Sequence, residues 1–125
     1  MEIKPRIFET DLLGHIHHSN YFVYMEEARL EFLKNIGVDI NFEKFTFVLV
    51  STNCDFIRRG VIGQVIESQT QVEKIGDTSL TLSCSMIEKN SGNLIAQGEA
   101  TMVYFDIVNQ KSTNIPDSIK AKLES

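Results

Sequence analysis

Asp11-Leu12-Leu13-Gly14-His15-Ile16-His17-His18-Ser19-Asn20 leads without a break into Tyr21-Phe22-Val23-Tyr24-Met25-Glu26-Glu27-Ala28-Arg29-Leu30, and the passage from one to the other decides the architecture. Tyr21, Met25, Ala28, Phe32 and Ile36 fall at spacings of four, three, four and four, with Glu26, Glu27, Glu31 and Lys34 between them. That period predicts an amphipathic helix over Tyr21–Ile36. Ser19 or Asn20 is the expected N-cap, and Gly37 ends the helix as its C′ residue. Phe22, Tyr24 and Leu33 widen the apolar stripe, as suits a helix lying against a sheet. The preceding loop holds all three histidines, the turn-forming Gly14 and an acid. The first N–H groups of a helix are unpaired and partly positive, so a loop of titratable groups feeding one is a candidate site.

Working outward, Ile3–Phe8 is expected as a short first strand, with Pro5 placing it at a sheet edge. Beyond the helix, Val38–Lys44 is a connection with room for one short turn. Phe45–Ile57, Val65–Ile75, Ser79–Ile87 and Leu94–Val108 are then rich in β-branched and aromatic residues and predict four strands. Turn chemistry separates them: Arg58-Arg59-Gly60 with Gly63, Gly76-Asp77, and Asn90-Ser91-Gly92-Asn93, the last two as hairpins. Alternation in Leu80-Thr81-Leu82-Ser83-Cys84-Ser85-Met86 gives one apolar face and one small or polar face, so the sheet covers something on one side. Pro116–Leu123 predicts a short closing helix. The fold class is α+β, in one domain spanning residues 1–125.

Of the 125 residues, 42% are hydrophobic and 23% charged, with two prolines, which suits a globular chain without long linkers. A net charge of −5 argues against generic nucleic-acid binding, which draws on phosphate neutralisation. Cys54 and Cys84 have no zinc-type spacing and lie in apolar strands, so they are expected as buried free thiols. No apolar run approaches the roughly 20 residues of a membrane helix, and Met1–Arg6 lacks the apolar core of a signal peptide. The expected setting is cytoplasmic, with no membrane span.

Asp11-x-x-Gly14-His15-Ile16-x-His18-x-Asn20-Tyr21, followed by Tyr24-x-Glu26-x-Ala28-Arg29, resembles the signature of hotdog-fold acyl-CoA thioesterases. The resemblance covers the whole chain and is closest to the hydroxybenzoyl-CoA and Tol-Pal-associated thioesterase group, in which an Asp precedes the Asn-Tyr at the helix start by nine positions. Gly14-His15-Ile16 is nearer a long-chain acyl-CoA branch, whereas His18 falls on the histidine of the Tol-Pal branch. The resemblance implies a curved antiparallel sheet wrapped around one long helix. It also implies an acyl-CoA substrate, no metal or other cofactor, and a homodimer or homotetramer with sites at subunit interfaces. Gly76-Asp77-Thr78 stands where the hydroxybenzoyl enzyme has basic residues, so contacts to the nucleotide phosphates differ.

On this basis Asp11 is the expected catalytic carboxylate, as base or nucleophile, with a turn-stabilising acid as the plain alternative. The His18 backbone N–H is the expected oxyanion donor. Gly14, His15, Asn20, Tyr21, Arg58, Arg59 and Ser79 are candidate substrate-binding residues, the arginines for coenzyme A phosphates and Ser79 for the pantetheine path. A metal held by His15, His17 and His18 beside Asp11 is the minor alternative. Glu26 and Glu27 are expected as ion-pair partners along the helix, for instance of Arg29 or Lys34. Two further readings remain: hydrolysis of acyl groups carried by acyl-carrier protein, and a non-catalytic acyl-binding module.

Overall fold

The computed structural model describes residues 1–38 and 43–125; of the expected Val38–Lys44 connection, residues 39–42 lie outside them. The chain runs β1 (Glu2–Ile3), a 3-10 turn (Ile7–Glu9), α1 (His18–Asn35), β2 (Phe45–Phe56), β3 (Ile66–Ile75), β4 (Ser79–Glu88), β5 (Leu94–Asp106), β6 (Lys111–Ser112) and α2 (Asp117–Glu124). All strand pairs are antiparallel, in the order β1-β3-β4-β5-β2, with β6 beside β5. The long helix lies across one face of this curled sheet, contacting β2, β3 and β4. This is the hotdog arrangement that the loop and helix motif implies.

The sheet reads out the alternation in the sequence. Leu80, Leu82, Cys84 and Met86 of β4 are buried against α1 or the lower core, while Thr81, Ser83 and Ser85 face the other way. From α1, Tyr21, Tyr24, Met25, Ala28 and Leu33 enter the core. Phe32 and Ile36 are only half-buried, so the C-terminal half of the stripe is rotated toward Leu33 relative to the expected spacing. Gly37 has φ +87°, the left-handed conformation of a C′ glycine, and the Lys122 ammonium of α2 donates to its carbonyl at 2.7 Å. Cys84 is buried and Cys54 half-buried, and both are free; burial pushes the Cys54 thiol up to about 11.

Two boundaries differ from expectation for identifiable reasons. The first strand is only Glu2–Ile3, paired with Glu67 and Ile66, because Pro5 has no N–H to continue the ladder. Arg6 then meets the buried Glu9: its backbone N–H donates to Glu9 Oε1 and its carbonyl accepts from the Glu9 N–H, both at 2.9 Å, which closes a 3-10 turn. At the helix, the N-cap is His17 rather than Ser19 or Asn20. Its Nδ1 accepts from the Ser19 N–H at 3.3 Å, so α1 starts at His18. The expected ion pairs of Glu26 and Glu27 also do not form: among the described residues the pairs are Arg6–Glu9, Lys89–Glu2 and Lys120–Asp77.

Candidate active site

Two loops are joined edge to edge at the head of α1. Ile16 N–H donates to Gly60 O at 2.8 Å, Ile62 N–H donates to Gly14 O at 3.0 Å, and His15 bridges Val61. Gly60 is closely approached there: a Cβ would lie 2.5 Å from Ile16 Cδ1 and 2.9 Å from the Tyr21 hydroxyl oxygen, so those side chains would have to shift. That hydroxyl accepts from the Gly60 N–H at 3.0 Å, and burial raises its pKa. The chain after β2 is thereby fixed against the histidine loop. Between them lies a cleft of about 570 Å³, walled by Asp11, His15, His18, Tyr21, Phe56 and the arginines 58 and 59 among others.

Asp11 sits at the cleft mouth, exposed. Its Oδ1 accepts from the Leu13 N–H at 2.9 Å and the His15 N–H at 3.1 Å, while among the described residues Oδ2 takes no hydrogen bond. The Leu13 hydrogen bond, with that from His15 and the nearby charge of Arg59, holds this carboxyl below its ordinary range. The turn-stabilising role is therefore real, and it uses one oxygen.

The His17 and His18 rings lie with centroids 4.3 Å apart and planes tilted by 30°, and His18 meets Phe56 edge-on at 6.3 Å. His17 is occupied with the cap, its Nδ1 also 2.8 Å from the Ser19 hydroxyl. Ser19 N–H and Asn20 N–H are satisfied by His17, whereas among the described residues no acceptor takes the His18 N–H. The head of an 18-residue helix thus offers one unshared donor beside the cleft.

Beneath the loop is a lock that the sequence did not announce. Glu9 is 4% exposed; its carboxylate accepts from Arg6 Nη2 and from the Tyr24 hydroxyl, each at 2.8 Å. The Arg6 guanidinium foremost, with the Arg6 and Tyr24 hydrogen bonds, lowers Glu9 to about 2, and burial with the same hydrogen bond raises Tyr24. The Glu9 carbonyl accepts from the His17 N–H at 2.9 Å and from Asn20 Nδ2 at 3.0 Å. Tyr24, three residues after Tyr21 on the same helix face, was the one available signal.

Of the expected site residues, the structure brings Asp11, His15, His18, Tyr21, Arg58 and Arg59 to the cleft. Asn20 is instead used to hold the Glu9 carbonyl, and Gly14 serves the loop pairing with φ +77°. Ser79 does not line the cleft: it closes the β3–β4 hairpin, its carbonyl accepting from the Gly76 N–H at 2.8 Å. Arg59 Nη1 contacts His15 Nδ1 at 3.1 Å. Among the described residues no group of three or more His, Cys, Asp or Glu is placed to hold a metal, and no helix is long and apolar enough to cross a membrane.

Comparison with known proteins gives this geometry a family. The model of the thioesterase-like superfamily matches residues 5–123. The chain belongs to the thioesterase-like superfamily. It is 27% identical over 128 residues to the long-chain acyl-CoA thioesterase FadM of Escherichia coli, covering 98% of this chain and 95% of FadM. It is 30% identical over 122 residues to a putative esterase of Aquifex aeolicus, covering 93% and 90%. A thioesterase from Bacillus stearothermophilus, so described from prediction, superposes with a TM-score of 0.88 at 31% identity, covering 99% and 92%. As a member of this superfamily the protein is a thioester hydrolase.

Proposed function

We propose that the protein hydrolyses acyl-CoA thioesters, with Asp11 as the catalytic carboxylate and the His18 backbone N–H as oxyanion donor. The observation that carries this is the meeting, in one cleft, of a carboxylate with one uncommitted oxygen and a helix-terminal N–H without an acceptor. The likeness to FadM, named for long-chain acyl-CoA hydrolysis, supports the choice of carrier.

A thiol with a pKa of about 8.5 leaves as thiolate without a strong acid, so one carboxylate and one oxyanion donor suffice. The carboxyl is held below its ordinary range, so Oδ2 is ionised at neutral pH and available either to activate water or to attack the thioester carbon. On the anhydride route the carbonyl electron pair moves onto oxygen, facing the His18 N–H; its return expels coenzyme A thiolate and leaves an acyl–Asp11 anhydride. Water then attacks the Asp11 carboxyl carbon, releasing the acid with the bridging oxygen and restoring a carboxylate that carries one oxygen from water. Among the described residues the Arg58 side chain has no hydrogen bond or ion pair, so it is the cleft cation offered to the phosphates.

The site is completed by a second copy of the chain. β2 is a 12-residue edge strand whose outer side pairs with nothing among the described residues, and Val48, Leu49 and Val50 on it are exposed, Val50 to 58%. Such an edge calls for a partner strand, and an isologous one gives a homodimer with two equivalent clefts.

The test is turnover of short, long and aromatic acyl-CoAs, with the same acyl groups on acyl-carrier protein, by wild type and Asp11→Asn. Wild type is expected to prefer coenzyme A, and the variant to lose at least about 100-fold in kcat with unchanged fold. Single turnover in H₂¹⁸O separates the two routes, because the anhydride labels the Asp11 carboxylate and activated water does not. Preserved turnover in the variant would sink the assignment. Ligand-induced stabilisation with no hydrolysis would instead favour a binding module.

A further inference from the structure

The contact between His15 and Arg59 fixes something that neither residue fixes alone. A guanidinium carries only donors and stays protonated. With Arg59 Nη1 at 3.1 Å, His15 Nδ1 must therefore be the acceptor and carry a lone pair. The neutral imidazole then keeps its single proton on Nε2. The opposite tautomer, and the imidazolium, would set N–H against N–H. The backbones on both sides are held by the Ile16–Gly60 and Ile62–Gly14 hydrogen bonds and by the His15–Val61 bridge, so the two joined loops bring the exposed Arg59 side chain within reach of the His15 ring.

Both residues wall the cleft that also holds Asp11, His17, His18, Tyr21 and Arg58, the other charged or titratable groups lining it. We propose that Arg59 is a positioning residue, which holds His15 as the neutral Nε2–H tautomer so that the ring offers a hydrogen-bond donor to the bound substrate. In the thioesterase reading, on which only the identity of that substrate rests, the acceptor is the thioester carbonyl, and His15 joins the His18 N–H as a second donor. The other tautomer would turn a lone pair toward the carbonyl oxygen and repel it. Arg59 is then committed to His15 and does not bind a coenzyme A phosphate.

The test combines one spectrum with one mutant cycle. Long-range ¹H–¹⁵N correlation of the labelled wild-type protein near neutral pH is expected to show His15 protonated on Nε2 and bare on Nδ1. Arg59→Met is expected to mix the tautomers and to lower kcat about tenfold, with KM for acyl-CoA little changed. Arg59→Lys, which keeps a donor, restores both. In the His15→Ala background, Arg59→Met should have no further effect on kcat, because its action passes through the ring. A wild-type spectrum with the proton on Nδ1 overturns the proposal without any variant. So does an Arg59→Met effect that falls on KM alone or persists undiminished in His15→Ala. If wild type hydrolyses no thioester, the functional reading fails, and the tautomer in wild type and Arg59→Met still decides the pairing.

Discussion

Glu9→Gln isolates the charge of the lock beneath the active-site loop. Glutamine keeps the shape and an oxygen at Oε1, where the Arg6 N–H and the Tyr24 hydroxyl donate, but faces Arg6 Nη2 with an amide donor in place of Oε2. The carboxyl lies at about 2 in the fold against an ordinary 4.5, a difference worth roughly 3 kcal/mol. The Arg6 side chain is 58% exposed, so solvent screening reduces this to about 2 kcal/mol. For a chain of this length that is a loss of about 6–8 °C in Tm. The folded carboxyl binds its proton more weakly than the unfolded one, so the stabilisation is present in full above about pH 4.5. It is lost as pH falls from there toward about 2. Melting of wild type and variant followed by circular dichroism should show a constant gap from neutral pH down to about pH 5, closing at lower pH. A gap absent at neutral pH, or one that stays constant into acid, would refute the assignment of this stabilisation to the Glu9 charge.

Gly98→Ala should be costly although it adds one methyl group: the Cβ would lie 2.3 Å from the Asn53 carbonyl oxygen and 2.8 Å from Met25 Sδ. Because backbone must move, chemical denaturation should show a loss of about 3 kcal/mol; a loss under half that would mean the sheet yields there. His17→Ala removes the cap of α1 and should cost about 1 kcal/mol, whereas His17→Asn should recover most of it; equal stability of the two variants would dismiss the capping role. Val50→Lys on the exposed β2 edge should convert the expected dimer to monomer in light scattering and abolish turnover. A fully active monomer would remove the second copy from the site.

Much of the fold is legible because its signals are local. The period of β4, the Gly76-Asp77 turn and the glycine after α1 each act within a few residues, and each does what its chemistry requires. The illegible parts depend on distant partners. β2 lies beside β5 and not beside β3, the next strand in the chain, and no local pattern carries that choice. Glu9 reads as an ordinary loop acid until Tyr24, fifteen positions away, is folded over it. His17 escaped as a cap because imidazole is outside the usual N-cap set, although a bare Nδ1 can accept from the second helical N–H as a hydroxyl does. At the site itself, the family resemblance points to Asp11, His18 and Tyr21, which line the cleft, and also to Asn20 and Ser79, which serve the loop and a remote hairpin.

Asp11 shows why a turn acid and a catalytic acid are not rival descriptions. A carboxylate has two oxygens, and here Oδ1 is spent on the Leu13 and His15 N–H groups while Oδ2 is left uncommitted. The turn fixes the side chain and keeps it ionised, so organising the loop also organises the reacting group. The choice of substitution follows from this. Asparagine can present its carbonyl oxygen at Oδ1 and preserve both turn hydrogen bonds while replacing Oδ2 by an amide. Alanine removes both together, freeing the loop that carries His15 and precedes the His17 cap. Asp11→Asn should therefore keep the wild-type melting temperature and the His15 tautomer while losing turnover. Asp11→Ala should lose turnover and melt below Asp11→Asn, because both turn hydrogen bonds go with it. If Asp11→Asn loosened the loop as much as Asp11→Ala, its inactivity would say nothing about Oδ2; matched spectra of the His15 ring in wild type and Asp11→Asn are what tie the lost activity to the missing oxygen.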